Sequence, residues 1–473
     1  MSREGKLAKN TLILSIGTFL PKLAAFITLP ILTGLMTKED YGIYDLITVL
    51  VSLLLPAVTL QIQLAAFRFL IDVKHDKKET NTIITSIYAF IIPTSVIALI
   101  VLYFCLFRIS FHIRILICLY FLADIFVNAA RQVCRGIGRT FDYSISAIIS
   151  AGGKIVFVII CVYYLRWGLF GAVISLFIAS LISFIFIFFR IKLYQYIGFK
   201  YFSSDKLKEM LKYSWPMVPN SMSSWIMRVS DRLVVTVFMG LPANAVYAVA
   251  NKIPSLLSII QGTFTLAWQE NASSVTKDSD VSDYYSSMFK ILFDFLTGCF
   301  CLLIAVTPVL FKLLIRGDYS EAYYQMPILF VAMFFLGLST YLGGIFIAFK
   351  RTKSIGITTM IAAAINLLVD VGLINYIGLY AASGSTLVSY LFLFIFRIIT
   401  VQKIVKVNYI LPHMFIGFAL IILTSVLCFF QSRWLNVMNI MISLISFWVL
   451  NYPLVKAFWR KGKKVIQKRL QNK

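Results

Sequence analysis

The sequence predicts an all-α polytopic membrane protein with about fourteen transmembrane helices. Three observations lead there. Of 473 residues, 60% are hydrophobic and 14% charged, against roughly 45–50% and about 25% in soluble domains. The apolar residues gather into runs of about 20 or more, the length that crosses a bilayer as helix. Lys and Arg gather in clusters between those runs and give a net charge of +24. Clusters in that position face lipid headgroups rather than nucleic acid. Composition excludes a water-soluble fold and a disordered chain. The lack of apolar/polar alternation excludes an outer-membrane barrel.

Cutting at charges and turn residues gives spans 11–36, 42–71, 81–107, 113–134, 141–164, 167–189, 214–240, 245–271, 284–311, 325–349, 354–376, 380–402, 411–430 and 435–456. The first run is too long for a signal-peptide core and ends without a small-residue cleavage site, so it is expected to be span 1. With the N-terminus inside, 30 of the 44 Lys and Arg fall in inner segments and 7 in outer loops. That asymmetry predicts cytoplasmic termini. The outer loops are short, the longest being 312–324, so no extramembrane domain is expected to house soluble chemistry. The seven Cys lie within or at the end of apolar runs with no CxxC, and the three His are scattered. Neither a disulfide framework nor a metal site is expected. No GxxxxGK[ST] segment is present, so no nucleotide or other cofactor is expected.

The spans read as a duplication. Tyr41-Gly-Ile-Tyr-Asp-Leu46 matches Asn244-Ala-Val-Tyr-Ala-Val249, and Arg139-Thr140 matches Arg351-Thr352. Trp167-Gly-Leu-Phe-Gly-Ala172 matches Ile377-Gly-Leu-Tyr-Ala-Ala382. The expected organisation is a six-helix bundle over 1–189, a linker over 190–213, a second six-helix bundle over 214–406, and two extra helices with a basic tail over 407–473. In the linker Leu207, Met210 and Leu211 oppose Lys206, Lys208 and Lys212, the pattern of an interfacial amphipathic helix. Parallel six-helix repeats place a substrate path between the halves.

Polar residues inside spans mark that path, because an ionisable group at the bilayer centre costs at least about 2.5–3.5 kcal/mol. Span 1 carries Thr11, Ser15, Thr18 and Lys22 on one face. Span 2 carries Asp45, Thr48, Ser52, Thr59 and Gln63, with Arg68 near its inner end. Span 7 carries Asn220, Ser224, Arg228, Asp231 and Arg232. Span 8 carries Asn251, Ser255, Ser258, Thr265 and Gln269, with Lys252 alongside. Most intervals are three or four residues, a single helical face. Spans 1 and 2 are equivalent to spans 7 and 8, so both halves present stripes. Lys22, Arg68, Arg228, Arg232 and Lys252 are the candidate cavity cations, and Asp45 and Asp231 the candidate coupling or pairing carboxylates. A cavity of that sign suits phosphate or pyrophosphate. Structural readings stand beside this one. Arg228 can neutralise Asp231, Arg232 can pair with Asp294 in span 9, and Arg68 can snorkel to headgroups. Asp124, Asn128, Lys154, Asn366 and Asp370 are read as structural pairs.

Leu211-Lys-Tyr-Ser-Trp-Pro-Met-Val-Pro219, Ser230-Asp-Arg232, Phe238-Met-Gly240 and Val246-Tyr-Ala-Val-Ala-Asn-Lys-Ile253 together resemble the start of the second half of bacterial polysaccharide-transport proteins. These are the O-antigen and capsule repeat-unit flippases of the multidrug/oligosaccharidyl-lipid/polysaccharide exporter superfamily. Asp318-Tyr-Ser-Glu-Ala322, Tyr41-Gly-Ile-Tyr44 and Lys350-Arg-Thr-Lys353 also fit, and the likeness covers roughly residues 5–410. Ala245 departs from the Gly that relatives often carry before the following Tyr. The resemblance implies two six-helix bundles in a V around a central cavity, in the bacterial cytoplasmic membrane. It implies export of undecaprenyl-pyrophosphate-linked oligosaccharide by alternating access, beside glycosyltransferases and a polysaccharide polymerase. It carries over Asp231 and Arg232 as family positions. The other candidates rest on the stripes.

Two rival classes are weaker. A drug/cation antiporter of the same superfamily needs a cavity dominated by carboxylates. A membrane polysaccharide polymerase or ligase typically needs a large outer catalytic loop, and every outer loop is short. The topology has a direct test. A cysteine placed at Ser203 should be labelled only after the membrane is permeabilised, whereas labelling from outside intact cells contradicts both the orientation and the repeat.

Overall fold

A computed structural model of the chain describes residues 23–73, 76–107, 109–276, 278–349 and 351–471. Among them, the regular elements are all helical. Helices are α1 (Leu23–Leu35), α2 (Lys38–Thr59), α3 (Ile62–Asp72), α4 (Lys77–Cys105), α5 (Phe111–Gly136), α6 (Thr140–Val158, continuing as a π-turn over Ile159–Tyr164), α7 (Gly168–Arg190), α8 (Ser204–Ser214), α9 (Met217–Met239), α10 (Leu241–Ala250), α11 (Leu256–Ser274), α12 (Val281–Leu314), α13 (Ser320–Ala348), α14 (Thr352–Ile377), α15 (Leu379–Gln402), α16 (Leu411–Phe429) and α17 (Arg433–Gln471). Hydrocarbon offers no partner to a free N–H or C=O, and helices satisfy theirs internally.

Over the described residues each expected span coincides with helix, and eleven of these helices are long and apolar enough to cross a membrane. α9 and α11, which fall short of that apolarity, belong to the polar spans 7 and 8. Two spans expected to be continuous are broken. Span 2 divides at Leu60 and Gln61, which have φ of +44° and +58°. Left-handed non-glycine residues cost about 1–3 kcal/mol each and persist where surrounding contacts hold them. Span 8 divides between Ala250 and Leu256, where Pro254 removes an N–H. Hydropathy does not register either break, because the side chains remain largely apolar on both sides.

The chain forms two compact units. One comprises residues up to Val246 together with Leu314–Asp318; the other comprises Tyr247–Leu313 and the chain from Tyr319 onward. In the first, α5 and α6 pack on α7, and α3 packs on α5. In the second, α13 and α14 pack on α15, and α11 packs on α13. These are equivalent spans, so the duplication seen in short motifs recurs as a packing pattern. The central helices are lined with small residues that let backbones approach. Ala172, Ser175, Ala179 and Ser183 are buried on α7, and Ala382, Ser385, Thr386 and Ser389 on α15.

Each unit also ties three helices together with one arginine. On α5, Arg131 donates to Ser146 Oγ and Ser183 Oγ, both at 3.0 Å, joining α6 and α7. On α15, Arg397 donates to the Ser339 carbonyl at 2.7 Å and to Thr359 Oγ1 at 3.2 Å, joining α13 and α14. Both arginines fall among the inner-segment charges of the sequence count, yet both lie on helices with their guanidinium turned toward protein. Without them the inner excess of positive charge persists.

In the linker, α8 docks on α3 and α4, with Ser203 capping its N-terminus by accepting from Lys206 N at 3.2 Å. Met210 is fully buried while Lys208 and Lys212 are exposed, as the amphipathic pattern requires. At the other end of the chain α16 and α17 fasten to the second unit. Tyr323 hydroxyl donates to Cys428 O at 2.7 Å, and Ser443 hydroxyl to Cys301 O at 2.9 Å.

Replacing Arg397 by Gln should leave buried acceptors unsatisfied and cost about 2–4 kcal/mol. A fall of several degrees in the melting temperature of the detergent-purified protein checks this. Arg397→Lys should rescue little, because one ammonium does not span the guanidinium's separated acceptors.

Candidate functional site

Within the first unit α2 and α9 run antiparallel along a polar seam. Arg232 Nη1 lies 2.9 and 3.0 Å from the two carboxylate oxygens of Asp45. The side chains are 16% and 3% exposed, so the pair is shielded from water. Further along, Trp225 Nε1 donates to Ser52 Oγ at 3.0 Å, and Gln61 Nε2 donates to Ser221 Oγ at 3.1 Å. Gln63 Nε2 in turn donates to Gln61 Oε1 at 3.2 Å. The break in span 2 therefore lies where three polar side chains cluster. Irregular backbone at membrane depth is tolerated where protein or a water-filled cavity receives it.

The far end of the seam requires glycine. A Cβ on Gly42 would lie 2.2 Å from the Leu241 carbonyl oxygen, a backbone atom with little room to yield. Asn244 Nδ2 donates to Gly42 O at 3.2 Å and locks the approach. Gly240 ends α9 with φ of +89°, a conformation side chains resist. Nearby, Lys38 Nζ bonds Asp318 Oδ2 at 2.8 Å, tying the 314–318 loop to the start of α2.

The sequence candidates separate on this frame. Asp45 and Arg232 meet, each on its own polar stripe. Of the alternatives raised, Arg232 bonds Asp45, and Asp294 bonds His413 on α16. Asp231 is buried at the neighbouring position of α9. Arg68 bonds Asp72 one turn along α3 at 2.6 Å, with both side chains more than half exposed. It takes no part in the α2–α9 contacts. Thr18 and Lys22 lie outside the described residues, as do the side chains of Asn220 and Arg228.

In the second unit the break of span 8 exposes its own polar groups. Asn251 Nδ2 donates to Tyr247 O at 3.0 Å, Ser255 Oγ donates to Lys252 O at 2.7 Å, and Lys252 is half-buried between them. Asn366 donates to Ser385 at 3.2 Å, and in the first unit Asn128 donates to Asp124 Oδ2 at 3.1 Å, the structural pairs expected.

Lys154 on α6 departs from that expectation. Its ammonium sits 5.8 Å from the centre of the Tyr44 ring, beside the Asp45 turn, and no described carboxylate pairs with it. Sequence reasoning read Lys154 as a structural pair because it stands alone on an apolar span, with no stripe to give it a face.

The family model for polysaccharide biosynthesis proteins matches residues 7–270, more than half of the chain. The chain belongs to the polysaccharide biosynthesis protein family. No curated protein matches it. Solved structures share its fold at low identity. The lipid II flippase MurJ in an inward closed conformation has a TM-score of 0.72 at 15% identity, over 94% of this chain and 99% of that one. An inward-facing multidrug resistance MATE family transporter of the MOP superfamily has 0.68 at 15%, over 83% and 98%. A MOP superfamily transporter from Pyrococcus furiosus, described as having a binding pocket of reverse polarity, has 0.56 at 17%, over 83% and 96%. In this family member the motif glycines and the Ser-Asp-Arg segment thus acquire physical roles, as the contact points of α2 and α9.

Removing one partner of a buried ion pair leaves an uncompensated charge and costs about 3–5 kcal/mol. Asp45→Asn and Arg232→Gln should each lower the melting temperature and the surface polysaccharide of a complemented null strain. The exchange Asp45→Arg with Arg232→Asp should recover part of both. A double exchange no better than the single variants would show that the pair does not act as a unit.

Proposed function

We propose that the protein is a flippase exporting undecaprenyl-pyrophosphate-linked oligosaccharide repeat units across the bacterial cytoplasmic membrane, for capsule, O-antigen or exopolysaccharide synthesis. The observation that carries this reading is the polar α2–α9 seam beside a broken span, in a member of this family. Interrupted helices in corresponding positions of two repeats are the usual location of transporter binding sites, and spans 2 and 8 are both interrupted. The likeness to a lipid II flippase supports a lipid-linked cargo, and the charge pattern supports cytoplasmic termini. The protein works as a transporter rather than an enzyme, receiving its cargo from glycosyltransferases and releasing it to a polymerase.

The mechanism follows from the charges. Asp45 neutralises Arg232 while α2 and α9 are closed on each other. A pyrophosphate reaching the first unit meets Lys154 by charge-assisted hydrogen bonds. Parting the seam frees Arg232 for the same anion and leaves Asp45 to hydrate. Lys22, Arg228 and Asp231 complete the set of charged groups in spans 1 and 7.

The drug/cation antiporter reading shares this fold and differs in the sign of its cavity. Proteoliposomes containing a fluorescent polyprenyl-pyrophosphate oligosaccharide separate the two. Wild-type protein should move the label to the opposite leaflet. Lys154→Ala and Lys252→Ala should each slow it at least about tenfold, the loss of one charge-assisted hydrogen bond, and the Arg variants should retain most of the rate. Movement of cationic dyes with no movement of the labelled lipid would reject the flippase.

A further inference from the structure

A cavity of about 410 Å³ opens on the first unit at the end of α1. Pro30 and Leu35 line one wall, Ile159, Tyr163 and Tyr164 another, and Arg316 from the 314–318 loop is the one charged lining residue among the described residues. The site lies at helix ends, on the side of the membrane that the charge pattern places opposite the linker helix α8.

Arg316 is positioned from several directions. Its backbone N–H donates to Thr33 Oγ1 at 3.1 Å, while that hydroxyl donates to Leu29 O at 2.9 Å. Its stem lies flat on the bare backbone of Gly34, with Cβ 3.1 Å and Cδ 3.4 Å from where a side chain there would begin. The nearest carboxylate along the chain, Asp318, is engaged by Lys38 at 2.8 Å. Among the described residues no carboxylate pairs with the Arg316 guanidinium.

The opposite wall is the π-turn. Ile160 O accepts from Leu165 N and Cys161 O accepts from Trp167 N, so the last turn of span 5 is widened. Widened turns of this kind recur at functional sites. This one sets Ile159, Tyr163 and Tyr164 on the cavity. Arg166 stacks 5.5 Å from the centre of the Tyr163 ring and adds a second cation at the rim. Tyr163, Tyr164 and Trp167 are exposed, as aromatic residues are at the headgroup level.

We propose that this cavity binds an anionic phospholipid of the leaflet opposite α8. Arg316 holds the phosphate by charge-assisted hydrogen bonds, Arg166 stands beside it, and an acyl chain lies over Pro30, Leu35 and Ile159. The volume admits a headgroup and the start of a chain, but not an oligosaccharide as well. Bound there, the lipid braces the loop that Lys38 and Thr33 already tie to the ends of α1 and α2. The inference rests on the membrane reading alone and stands apart from the identity of the cargo.

Full-length protein in nanodiscs of equal phosphatidylglycerol and phosphatidylcholine, transferred to detergent for native mass spectrometry, tests it. Wild type should retain phosphatidylglycerol in preference to phosphatidylcholine. Arg316→Gln should cut that retention about tenfold, with Arg316→Lys intermediate. Lys312→Gln, a neighbouring exposed cation outside the cavity, should leave it unchanged. Equal retention by Arg316→Gln and wild type would overturn the site. Equal retention of the two lipids would overturn the charge selection. Displacement by inorganic phosphate would make it a free-anion site, and displacement by stoichiometric polyprenyl pyrophosphate would make it a cargo site; either result overturns the proposal.

Discussion

Asp45 and Arg232 face each other where water is scarce, and that single circumstance organises the seam around them. In a medium of low dielectric an ion pair is strong and an unpaired ion is costly. The pair therefore sets the register of α2 against α9. With it in place, Trp225 falls opposite Ser52, Ser221 opposite Gln61, and the bare backbone of Gly42 against Leu241. Under the proposed transport cycle, water reaching the seam would weaken the attraction and hydrate both charges, letting the helices part without exposing a large apolar face. A seam closed by apolar interdigitation would lack that property in lipid, where apolar surface gains little by being covered.

The requirement that buried charge be satisfied takes a second form in the arginine junctions. Arg131 and Arg397 are met by hydroxyls and a carbonyl instead of a carboxylate, each drawing on three helices. A guanidinium spreads its donors in a planar fork, so it can hold several neutral acceptors at once. The two repeats supply it from different helices, α5 in one and α15 in the other. What the duplication preserves is the three-helix junction. Each junction is a set of hydrogen bonds to neutral acceptors, whereas the α2–α9 seam is joined by an ion pair.

The motif residues that marked the family turn out to be contact chemistry. Gly42 admits a carbonyl oxygen that any side chain would exclude, and Gly240 takes a left-handed turn. The Ser-Asp-Arg segment delivers the cation that Asp45 receives. Two non-glycine residues, Leu60 and Gln61, hold an equally unusual backbone in the middle of span 2, and no local composition announces them.

The helical class, the span positions and the family were legible in the sequence, because they depend on composition, local motifs and a period of three or four residues. The stripes on spans 2 and 7 also pointed to Asp45 and Arg232 as important. Their pairing was decided by tertiary structure, since a stripe gives a face but no partner: Arg232 meets Asp45, and Asp294 bonds His413. The fold sets Lys154 over Tyr44 and bonds Arg68 to Asp72 at the surface, neither of which a stripe shows. Hydropathy sums over residues one at a time and is blind to which helices meet. Partner choice, helix breaks and lone functional charges depend on contacts between residues far apart in the chain, and those exist only once the helices have packed.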